Sequence, residues 1–285
     1  MARRSPDARH LSDADRGLED RIWKEVVAFV VLTLGASTVF YVALIRLGSL
    51  ERDGAALLVM GLMWTPGLVA LALQLNFRRT LRGLGWGWGG GRYWVLGYLA
   101  PILYAGLTYA VIWASPLGDV EAEAFGRLAS HWYVIPLGAL QGCLFALGEE
   151  LGWRGFLVPR LAQVLDFDRT SIVSGLVWAV WHVPLILFAG YSGGAPALYS
   201  VACFTVMVVG LSYLFAGITL RSGSVWPAML LHASHNQWIQ GFFDQATVDT
   251  GPTEYWIGEF GAGLALAAIL VAILARQIGP STRTL

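Results

Sequence analysis

Long apolar runs separated by short polar connections make up most of the chain. Eight runs can be distinguished, and each is about as long as the roughly 20 residues that a helix needs to cross a bilayer. They lie near residues 25–47, 55–76, 93–115, 132–148, 170–189, 197–220, 225–243 and 256–275. Because backbone groups in lipid must bond within their own segment, the pattern predicts an all-α polytopic membrane protein with about eight transmembrane helices in one bundle.

The same pattern leaves room for a single folded domain, because connections such as residues 190–196 are short. We predict an N-terminal cytoplasmic segment, a transmembrane domain and a cytoplasmic tail at residues 1–24, 25–276 and 277–285. Within the first segment, Ser12 and Asp13 could cap a short amphipathic helix that lies at the membrane interface. A disordered segment is the alternative.

Composition supports the membrane assignment. Of the 285 residues, 56% are hydrophobic and 13% are charged, whereas a soluble domain usually carries about 25% charged residues. The net charge is zero and no stripe of Lys and Arg dominates, which argues against nucleic-acid binding. The two cysteines, Cys143 and Cys203, both lie within apolar runs, which argues against a disulfide scaffold.

The 19 Lys and Arg residues are distributed unequally between the two ends of the predicted bundle. With a cytoplasmic N-terminus, 16 of them fall on the cytoplasmic side, and only Arg46, Arg52 and Arg127 fall on the other side. This bias predicts a multi-pass protein of the inner cell membrane with both termini in the cytoplasm. High Gly, Ala and Arg usage beside a single lysine, Lys24, suggests a bacterial source.

Polar residues interrupt three of the apolar runs, and such residues are costly in lipid and are usually functional. They are Glu149, Glu150 and Arg154 in the fourth run, Trp178 and His182 in the fifth, and His232, His235 and Asn236 in the seventh. At a rise of about 1.5 Å per residue, the predicted orientation places Glu149, His182 and His232 at overlapping depths near the cytoplasmic end.

The two adjacent glutamates cannot do the same job, because neighbouring residues of a helix point about 100° apart. Arg154 lies four residues after Glu150 on the same face, which suits an internal ion pair. That pairing would leave Glu149 pointing into the bundle, where a carboxylate in a partly dry cavity suits a general base acting on water. The alternative is that both glutamates are merely solvated at a helix end.

The histidines allow more than one interpretation. His182 alone is typical of a buried histidine with a satisfied hydrogen bond. His232 and Asn236 lie four residues apart on one face and could donate hydrogen bonds to one point, as an oxyanion site requires. We interpret His235 as a supporting or structural side chain. A zinc site formed by Glu149, His182 and His232 is also chemically possible, because three such ligands and a water form a catalytic pattern.

The three patches resemble the motifs of the CPBP family of intramembrane proteases, which includes the Rce-type prenyl (CAAX) endopeptidases and their bacterial relatives. Order and spacing both agree, and the one departure is a Trp where the second motif usually has Phe. The motifs E-E-x-x-x-R, F-x-x-x-H and H-x-x-x-N/D correspond to Glu149-Glu150-x-x-x-Arg154, Trp178-x-x-x-His182 and His232-x-x-x-Asn236.

The resemblance implies a peptidase that acts within the membrane. It implies that Glu149 and His182 activate a water, that His232 and Asn236 stabilise the oxyanion, and that Glu150 and Arg154 brace the site. Members of the family are described both as metalloproteases and as glutamate proteases without a metal. Zinc therefore stays open as a cofactor.

We predict an intramembrane endopeptidase that cleaves a peptide or protein substrate, lipidated or not, near the cytoplasmic face of the membrane. Two other classes stay open. One is a non-catalytic scaffold or bacteriocin self-immunity protein with the same fold, which would tolerate the loss of Glu149. The other is a transporter, which would more often show paired repeats with broken helices, and the sequence shows no such pairing. The sequence predicts no oligomeric state.

Overall fold

The computed structural model describes residues 13–50, 52–277 and 279, and this part of the chain is almost entirely helical. Its ten α-helices are α1 (Asp13–Leu47), α2 (Ala55–Arg78), α3 (Gly91–Trp113), α4 (Ala122–Ser130), α5 (Val134–Glu150), α6 (Val158–Val164), α7 (Phe167–Phe188), α8 (Ala197–Ser222), α9 (Trp226–Trp238) and α10 (Ala262–Gln277). Wider π-helical segments follow α5 and α9, at Leu151–Leu157 and Ile239–Phe243. Two short strands, β1 (Asp119–Val120) and β2 (Thr247–Val248), pair antiparallel, and Thr253–Tyr255 forms a 3₁₀ turn.

Six helical stretches of the described chain are long and apolar enough to cross a membrane. They are Asp15–Leu47, Ala55–Arg78, Gly91–Trp113, Val134–Val164, Phe167–Phe188 and Ala197–Ser222. The seventh and eighth predicted runs also form helices, but α9 has 13 residues before its π-helical segment and α10 has 16. The prediction of an all-α polytopic membrane protein is confirmed, whereas the number of eight spans stays a prediction.

The first helix begins within the segment for which we predict an interfacial helix. α1 starts at Asp13 and continues for 35 residues into the first span. Ile22 is completely buried, so this part of α1 packs against the bundle. Ser12, residues 1–11 and most of the predicted tail lie outside the described residues. The division into three parts stays a prediction.

Ion pairs identify the helix termini that share one end of the bundle. Glu25, near the start of α1, accepts a hydrogen bond from Arg160 Nε of α6 at 2.8 Å. Arg78, the last residue of α2, lies 3.1 Å from the same carboxylate. Arg276 near the end of α10 pairs with Asp168 at the start of α7 at 2.6 Å. We call this end of the bundle the arginine end.

The opposite end carries the connections from α3 to α5 and from α9 to α10, and β1 and β2 pair there. Trp113, the last residue of α3, donates to the Thr247 hydroxyl at 2.9 Å. Tyr199, near the start of α8, donates to the backbone carbonyl of Tyr255 at 2.6 Å. We call this end of the bundle the loop end.

Glycines bring α2 and α5 into close contact beside the predicted glutamate pair. A Cβ added at Gly67 would lie 2.5 Å from the carbonyl oxygen of Gly148, and one added at Gly148 would lie 2.6 Å from Trp64 Cα. Small residues of this kind let membrane helices approach closely. Because Gly148 directly precedes Glu149, this contact fixes the position of the glutamates relative to α2.

Candidate active site

A cavity of about 160 Å³ inside the bundle brings the three polar patches together. Its wall includes Glu149, Trp178, His182, His232, His235 and Asn236. These side chains come from α5, α7 and α9, which are distant in sequence. All four residues predicted to be catalytic therefore line one cavity.

The glutamate pair lies where a regular helix becomes a π-helix. Glu149 and Glu150 are the last two residues of α5, and the π-helical segment that follows leads directly into α6. Such π-helical segments are frequent at functional sites. Glu149 is 1% exposed and Glu150 is 0% exposed. The alternative that both glutamates are merely solvated at a helix end is therefore wrong.

Glu149 is held by two tryptophans through a single oxygen. Its Oε2 accepts from Trp178 Nε1 at 2.8 Å and from Trp153 Nε1 at 3.2 Å. Among the described residues, no other hydrogen-bond donor reaches this carboxylate. Oε1 is therefore the oxygen that remains for a water in the cavity.

Trp178, the one departure from the family motif, has a chemical role in this arrangement. Besides donating to Glu149, its ring lies beneath the guanidinium of Arg154, with 4.1 Å between Arg154 Cζ and the ring centroid. A phenylalanine could keep the cation–π contact but could not donate a hydrogen bond. The indole N–H thus ties α7 to the glutamate of α5.

The tautomer of His182 follows from its backbone contact. Its Nδ1 lies 3.0 Å from the carbonyl oxygen of Trp178. A carbonyl oxygen only accepts, so Nδ1 carries the proton and Nε2 of the neutral ring has a free lone pair. The rings of Tyr191 and Phe204 pack against the imidazole, with centroids 6.0 and 4.8 Å away. Nε2 is therefore able to accept a proton from water.

Glu150 joins two of the predicted motifs. Its Oε1 accepts from Arg154 Nη1 at 2.9 Å and from His232 Nδ1, also at 2.9 Å. The predicted pair of Glu150 and Arg154 is present, and His232 is a third member that the spacing could not reveal. Because an ionised carboxylate cannot donate, Nδ1 of His232 carries a proton, and Nε2 is the nitrogen left for a substrate.

His235 has partners different from those of His232. Its Nε2 lies 3.0 Å from Glu259 Oε1, and its Nδ1 shares a hydrogen bond with the hydroxyl of Tyr104. Both ring nitrogens are therefore occupied by protein groups. Asn236, one residue further along α9, lines the cavity and is partly exposed.

Glu259 is a buried carboxylate of the cavity wall that the sequence motifs did not indicate. Besides the contact with His235, its Oε2 accepts from the Tyr191 hydroxyl at 2.6 Å and from Gln240 Nε2 at 2.9 Å. It lies just before α10, outside the three motifs. The sequence contains one indication of this residue, because it is an acidic residue within the eighth apolar run. Acidic residues within membrane segments are usually functional.

The three predicted zinc ligands surround the cavity without forming a preformed metal site. In the described part of the chain, no group of three or more His, Cys, Asp or Glu side chains is arranged to hold a metal ion. Glu149 Oε2 already accepts from two indoles, and Nδ1 of both His182 and His232 is bonded to a protein acceptor. These contacts leave Oε1 of Glu149 and Nε2 of both histidines available, and metal-binding histidines usually donate their other ring N–H in this way, so zinc stays open as a cofactor.

Comparison with known proteins identifies the segment that carries this site. Residues 131–238 match the family model of the type II CAAX prenyl endopeptidases, Rce1-like. This region is similar to that family. It includes every residue of the three motifs and extends to the end of α9. The sequence-based recognition of this protease family is thereby confirmed for the central part of the chain.

A curated relative supports the same assignment over a shorter stretch. The chain is 44% identical over 43 residues to the CAAX prenyl protease 2 of Methanococcus maripaludis, a match that covers 15% of this chain and 16% of the archaeal protein. Glu259 lies outside the Rce1-like region, so its contacts are a feature of this chain beyond the family match.

Proposed function

We propose that the protein is an intramembrane endopeptidase that hydrolyses a peptide bond in the cavity between α5, α7 and α9. The observation that carries the proposal is the convergence of Glu149, His182, His232 and Asn236 on one cavity within an Rce1-like region. The substrate is a peptide or a protein. Because the relative from Methanococcus maripaludis is named as a prenyl protease, lipidated peptides should be tested as substrates beside peptides without a lipid.

Glu149 and His182 activate the water in this proposal. Oε1 of Glu149 and Nε2 of His182 are the two atoms that their protein partners leave available for it. The carboxylate takes a proton from the water as the water oxygen attacks the carbonyl carbon, while Nε2 orients the water. The same proton then passes to the departing nitrogen, so that the C–N bond breaks and a carboxylate and an amine are released.

His232 and Asn236 stabilise the negative charge that develops on the carbonyl oxygen. The hydrogen bond to Glu150 fixes the ring of His232, and a second proton on Nε2 makes it an imidazolium that can donate to the oxyanion. The side-chain amide of Asn236 supplies the second donor. Donors placed in advance in a dry site are effective because they need little reorganisation as the charge forms.

Arg154 balances the charge of the site. It is 2% exposed, and its guanidinium lies between the rings of Trp178 and Phe215, at 4.1 and 4.0 Å from their centroids. Glu149 and Glu150 thus face Arg154 and a protonated His232, so that two negative charges meet two positive ones. A buried ionic group needs such pairing to offset its loss of hydration.

The proposal includes an orientation in the membrane. Both termini and the arginine end lie in the cytoplasm, because most Lys and Arg residues belong to that side. Cleavage near the cytoplasmic face of the membrane, which the sequence predicts, is part of the proposal.

Peptide cleavage by the purified protein in liposomes tests the proposal. The wild-type protein should cleave, and His182→Ala should fold and be essentially inactive. His131→Ala is the matched control, because His131 is exposed and does not line the cavity. No cleavage by the wild-type protein would favour a scaffold or a transporter, whereas full activity of His182→Ala would contradict the role assigned to His182.

A chelator provides a second arm of the same assay. No step of the proposed mechanism is assigned to a metal, so a chelator should leave the rate unchanged. Loss of activity with a chelator and recovery with zinc would instead make Glu149, His182 and His232 metal ligands.

A further inference from the structure

We propose that the catalytic cavity selects peptides that carry a lysine or an arginine close to the scissile bond, and that the negative charge of Glu259 causes this selection. The inference rests on the proposed function and names the substrate class of the same site. It follows from the charges that line the cavity, from the hydrogen bonds around Glu259, and from the position of Glu259 beside the proposed catalytic residues.

The charges of the cavity wall are nearly all accounted for by the proposed mechanism. Among the described residues, the acidic and basic side chains that line the cavity are two glutamates and three histidines, with no Lys or Arg. Glu149 and Glu150 are balanced by Arg154 and a protonated His232 in that mechanism. Glu259 is the other carboxylate of the wall, and its charge balance depends on its own neighbours.

The protonation of His235, the nearest basic group, follows from its contact with Tyr104. Tyr104 is buried, and the hydrogen bonds of the described residues give its hydroxyl no partner other than Nδ1 of His235. A buried hydroxyl without an acceptor is costly, so the hydroxyl donates to Nδ1. Nε2 of the neutral ring then carries the proton and donates to Glu259 Oε1 at 3.0 Å. His235 therefore supplies a hydrogen bond but no positive charge.

Glu259 is ionised in this arrangement, because its neighbours donate to it. Besides His235, the Tyr191 hydroxyl donates to Oε2 at 2.6 Å, and Gln240 Nε2 donates to the same oxygen at 2.9 Å. A protonated carboxyl group would need an acceptor for its own hydrogen, whereas these three groups all present donors. Glu259 is 5% exposed, and the ion pairs of the described residues give it no Lys or Arg partner. One negative charge of the wall is thus left without a cation.

Such an unbalanced charge has a consequence for any molecule that enters the cavity. A buried charge without a partner is expensive, and a charged residue inside a membrane bundle usually serves a function. Unlike charges attract each other more strongly in a sheltered cavity than in bulk water, so a cationic group is favoured there and an anionic group is disfavoured. This attraction acts through space. Glu259 can therefore orient its neighbours and select a cation at the same time.

Glu259 lies next to the proposed catalytic residues. The ring of Tyr191, whose hydroxyl donates to Glu259, stacks on that of His182 with 6.0 Å between the centroids. Gln240 lies four residues after Asn236, and both line the cavity. A peptide whose carbonyl group lies beside His182 and Asn236 would therefore present a neighbouring side chain to Glu259. Because an extended chain rises about 3.3 Å per residue, that side chain belongs to one of about three residues on either side of the scissile bond.

A cationic side chain suits Glu259 better than a metal ion does. Its oxygens already accept three hydrogen bonds, and no group of three or more His, Cys, Asp or Glu side chains in the described chain is arranged to hold a metal ion. Lysine and arginine carry one positive charge at the end of a largely apolar stem. The cavity offers an apolar wall to such a stem, formed by Leu185, Phe204, Met207 and Leu211.

A set of matched peptides tests the preference in liposomes of zwitterionic lipid, whose surface does not attract cations. Peptides with acetylated N-termini carry Lys, Gln or Glu at one position, and this position is moved along both sides of the scissile bond. At one or more positions, the wild-type protein should cleave the Lys peptide with a kcat/KM about tenfold above that of the Gln peptide, and the Glu peptide least well. Arg should replace Lys. Equal values for Lys and Gln at every position would overturn the inference.

Glu259→Gln keeps the size of the side chain and removes its charge. This variant should cleave the Lys and Gln peptides with equal kcat/KM, and its value for the Gln peptide should stay within about tenfold of wild type. Glu254→Gln is the matched control, because Glu254 belongs to the same connection before α10 and does not line the cavity. The control should keep the preference for Lys. A preference that persists in Glu259→Gln would overturn the inference.

Tyr191→Phe separates the charge of the wall from its shape. It removes one hydrogen bond to Glu259 and leaves the carboxylate charged, so the preference for Lys should remain. Loss of the preference to the same extent as in Glu259→Gln would assign it to the shape of the wall and overturn the inference. The comparison of peptides in the wild-type protein stays decisive if a variant fails to fold.

Peptide binding separates this inference from the proposed function. Fluorescent forms of the same peptides are titrated against Glu149→Gln, which lacks the proposed base and keeps Glu259. The Lys peptide should bind about tenfold more tightly than the Gln peptide, and equal affinities would overturn the inference. Absence of cleavage by the wild-type protein, together with this difference in binding, would contradict the proposed function and leave the selection of cationic peptides standing.

Discussion

α9 carries two buried histidines three residues apart, and each is held by a different glutamate. His232 Nδ1 lies 2.9 Å from Glu150, and His235 Nε2 lies 3.0 Å from Glu259. The two pairs are alike in burial and in distance. They differ in whether the second ring nitrogen of the histidine is still free to form a hydrogen bond. His232 keeps Nε2 available, whereas the second nitrogen of His235 is bonded to Tyr104.

The same difference separates Glu259 from Glu149. Glu259 uses one oxygen for His235 and the other for Tyr191 and Gln240. Both hydrogen bonds to Glu149, in contrast, fall on Oε2. A group whose polar atoms all have partners in the protein orients its neighbours, whereas a group that lines the cavity and keeps one free atom can act on a substrate. Burial beside an acidic residue therefore does not by itself identify a catalytic histidine.

The largest expected difference is between alanine substitutions of the two histidines. His232→Ala removes an oxyanion donor, which typically costs about 10²–10³ in turnover, and Asn236→Ala should likewise retain only a small measurable rate. His235→Ala should stay within about tenfold of the wild-type rate, because it removes a supporting contact. Steady-state cleavage by the three purified variants measures this. Equal losses in His232→Ala and His235→Ala would mean that the wrong histidine has been placed in the site.

The next effect concerns the buried pair of Glu150 and Arg154 and its contribution to stability. Arg154→Ala leaves Glu150 buried without its cation, and removing one partner of a buried pair typically costs about 3–5 kcal/mol of unfolding free energy. Glu149→Gln keeps the shape of the side chain and its ability to accept from the two tryptophans. Arg154→Ala should therefore melt at a lower temperature than Glu149→Gln in the same detergent. Equal melting temperatures would argue that Glu150 does not depend on Arg154.

A smaller effect is expected from Trp178→Phe, which restores the residue usual in the family. It removes one of the two indole donors to Glu149 and keeps an aromatic ring beneath Arg154. A hydrogen bond to a charged group typically contributes about 1.5–3 kcal/mol, so the rate should fall by about 10- to 100-fold. The pH dependence of turnover should shift as well, because the environment of the base changes.

Trp181→Phe is the matched control for that substitution. Trp181 is also buried and also lines the cavity, but its indole donates to the Ser37 hydroxyl at 2.8 Å and not to Glu149. This variant should keep the pH profile of the wild-type protein. An identical shift in both variants would indicate a general effect of removing an indole from the core.

The smallest effect on turnover is expected at the second carboxylate. Glu259→Gln keeps an oxygen that can accept from Tyr191 or Gln240 and removes the negative charge beside His235. Turnover should stay within about tenfold of wild type, as expected for a group that does not contact the reacting atoms. A loss as large as that of His232→Ala would show that the two pairs on α9 share the chemistry.

The contacts within one helix were accessible from the sequence, and the contacts between distant helices were not. The spacing of Glu150 and Arg154 predicted their pairing, because residues four apart share a helix face. The bond from His232 to the same glutamate joins residues 82 positions apart, which periodicity does not indicate. Glu259 escaped notice for the same reason, since its partners lie on other segments and no motif surrounds it.

The start of α1 shows the same limit. Glu25 is completely buried, because Arg160 of α6 and Arg78 of α2 supply its partners. From the sequence alone, a charged residue of a helix is interpreted as solvated, because the residue that pairs with it on another helix is not known. The composition and the apolar runs, which need no such knowledge, gave the all-α membrane fold correctly.

The most direct test of the central claim compares two Glu→Gln substitutions in single-turnover cleavage by purified protein in liposomes. Glu149→Gln removes the proposed base, whereas Glu123→Gln changes an exposed residue of α4 away from the cavity. Both variants should fold and insert as the wild-type protein does. The account predicts that Glu123→Gln cleaves at the wild-type rate and that Glu149→Gln shows essentially no cleavage. Full activity of Glu149→Gln would contradict it.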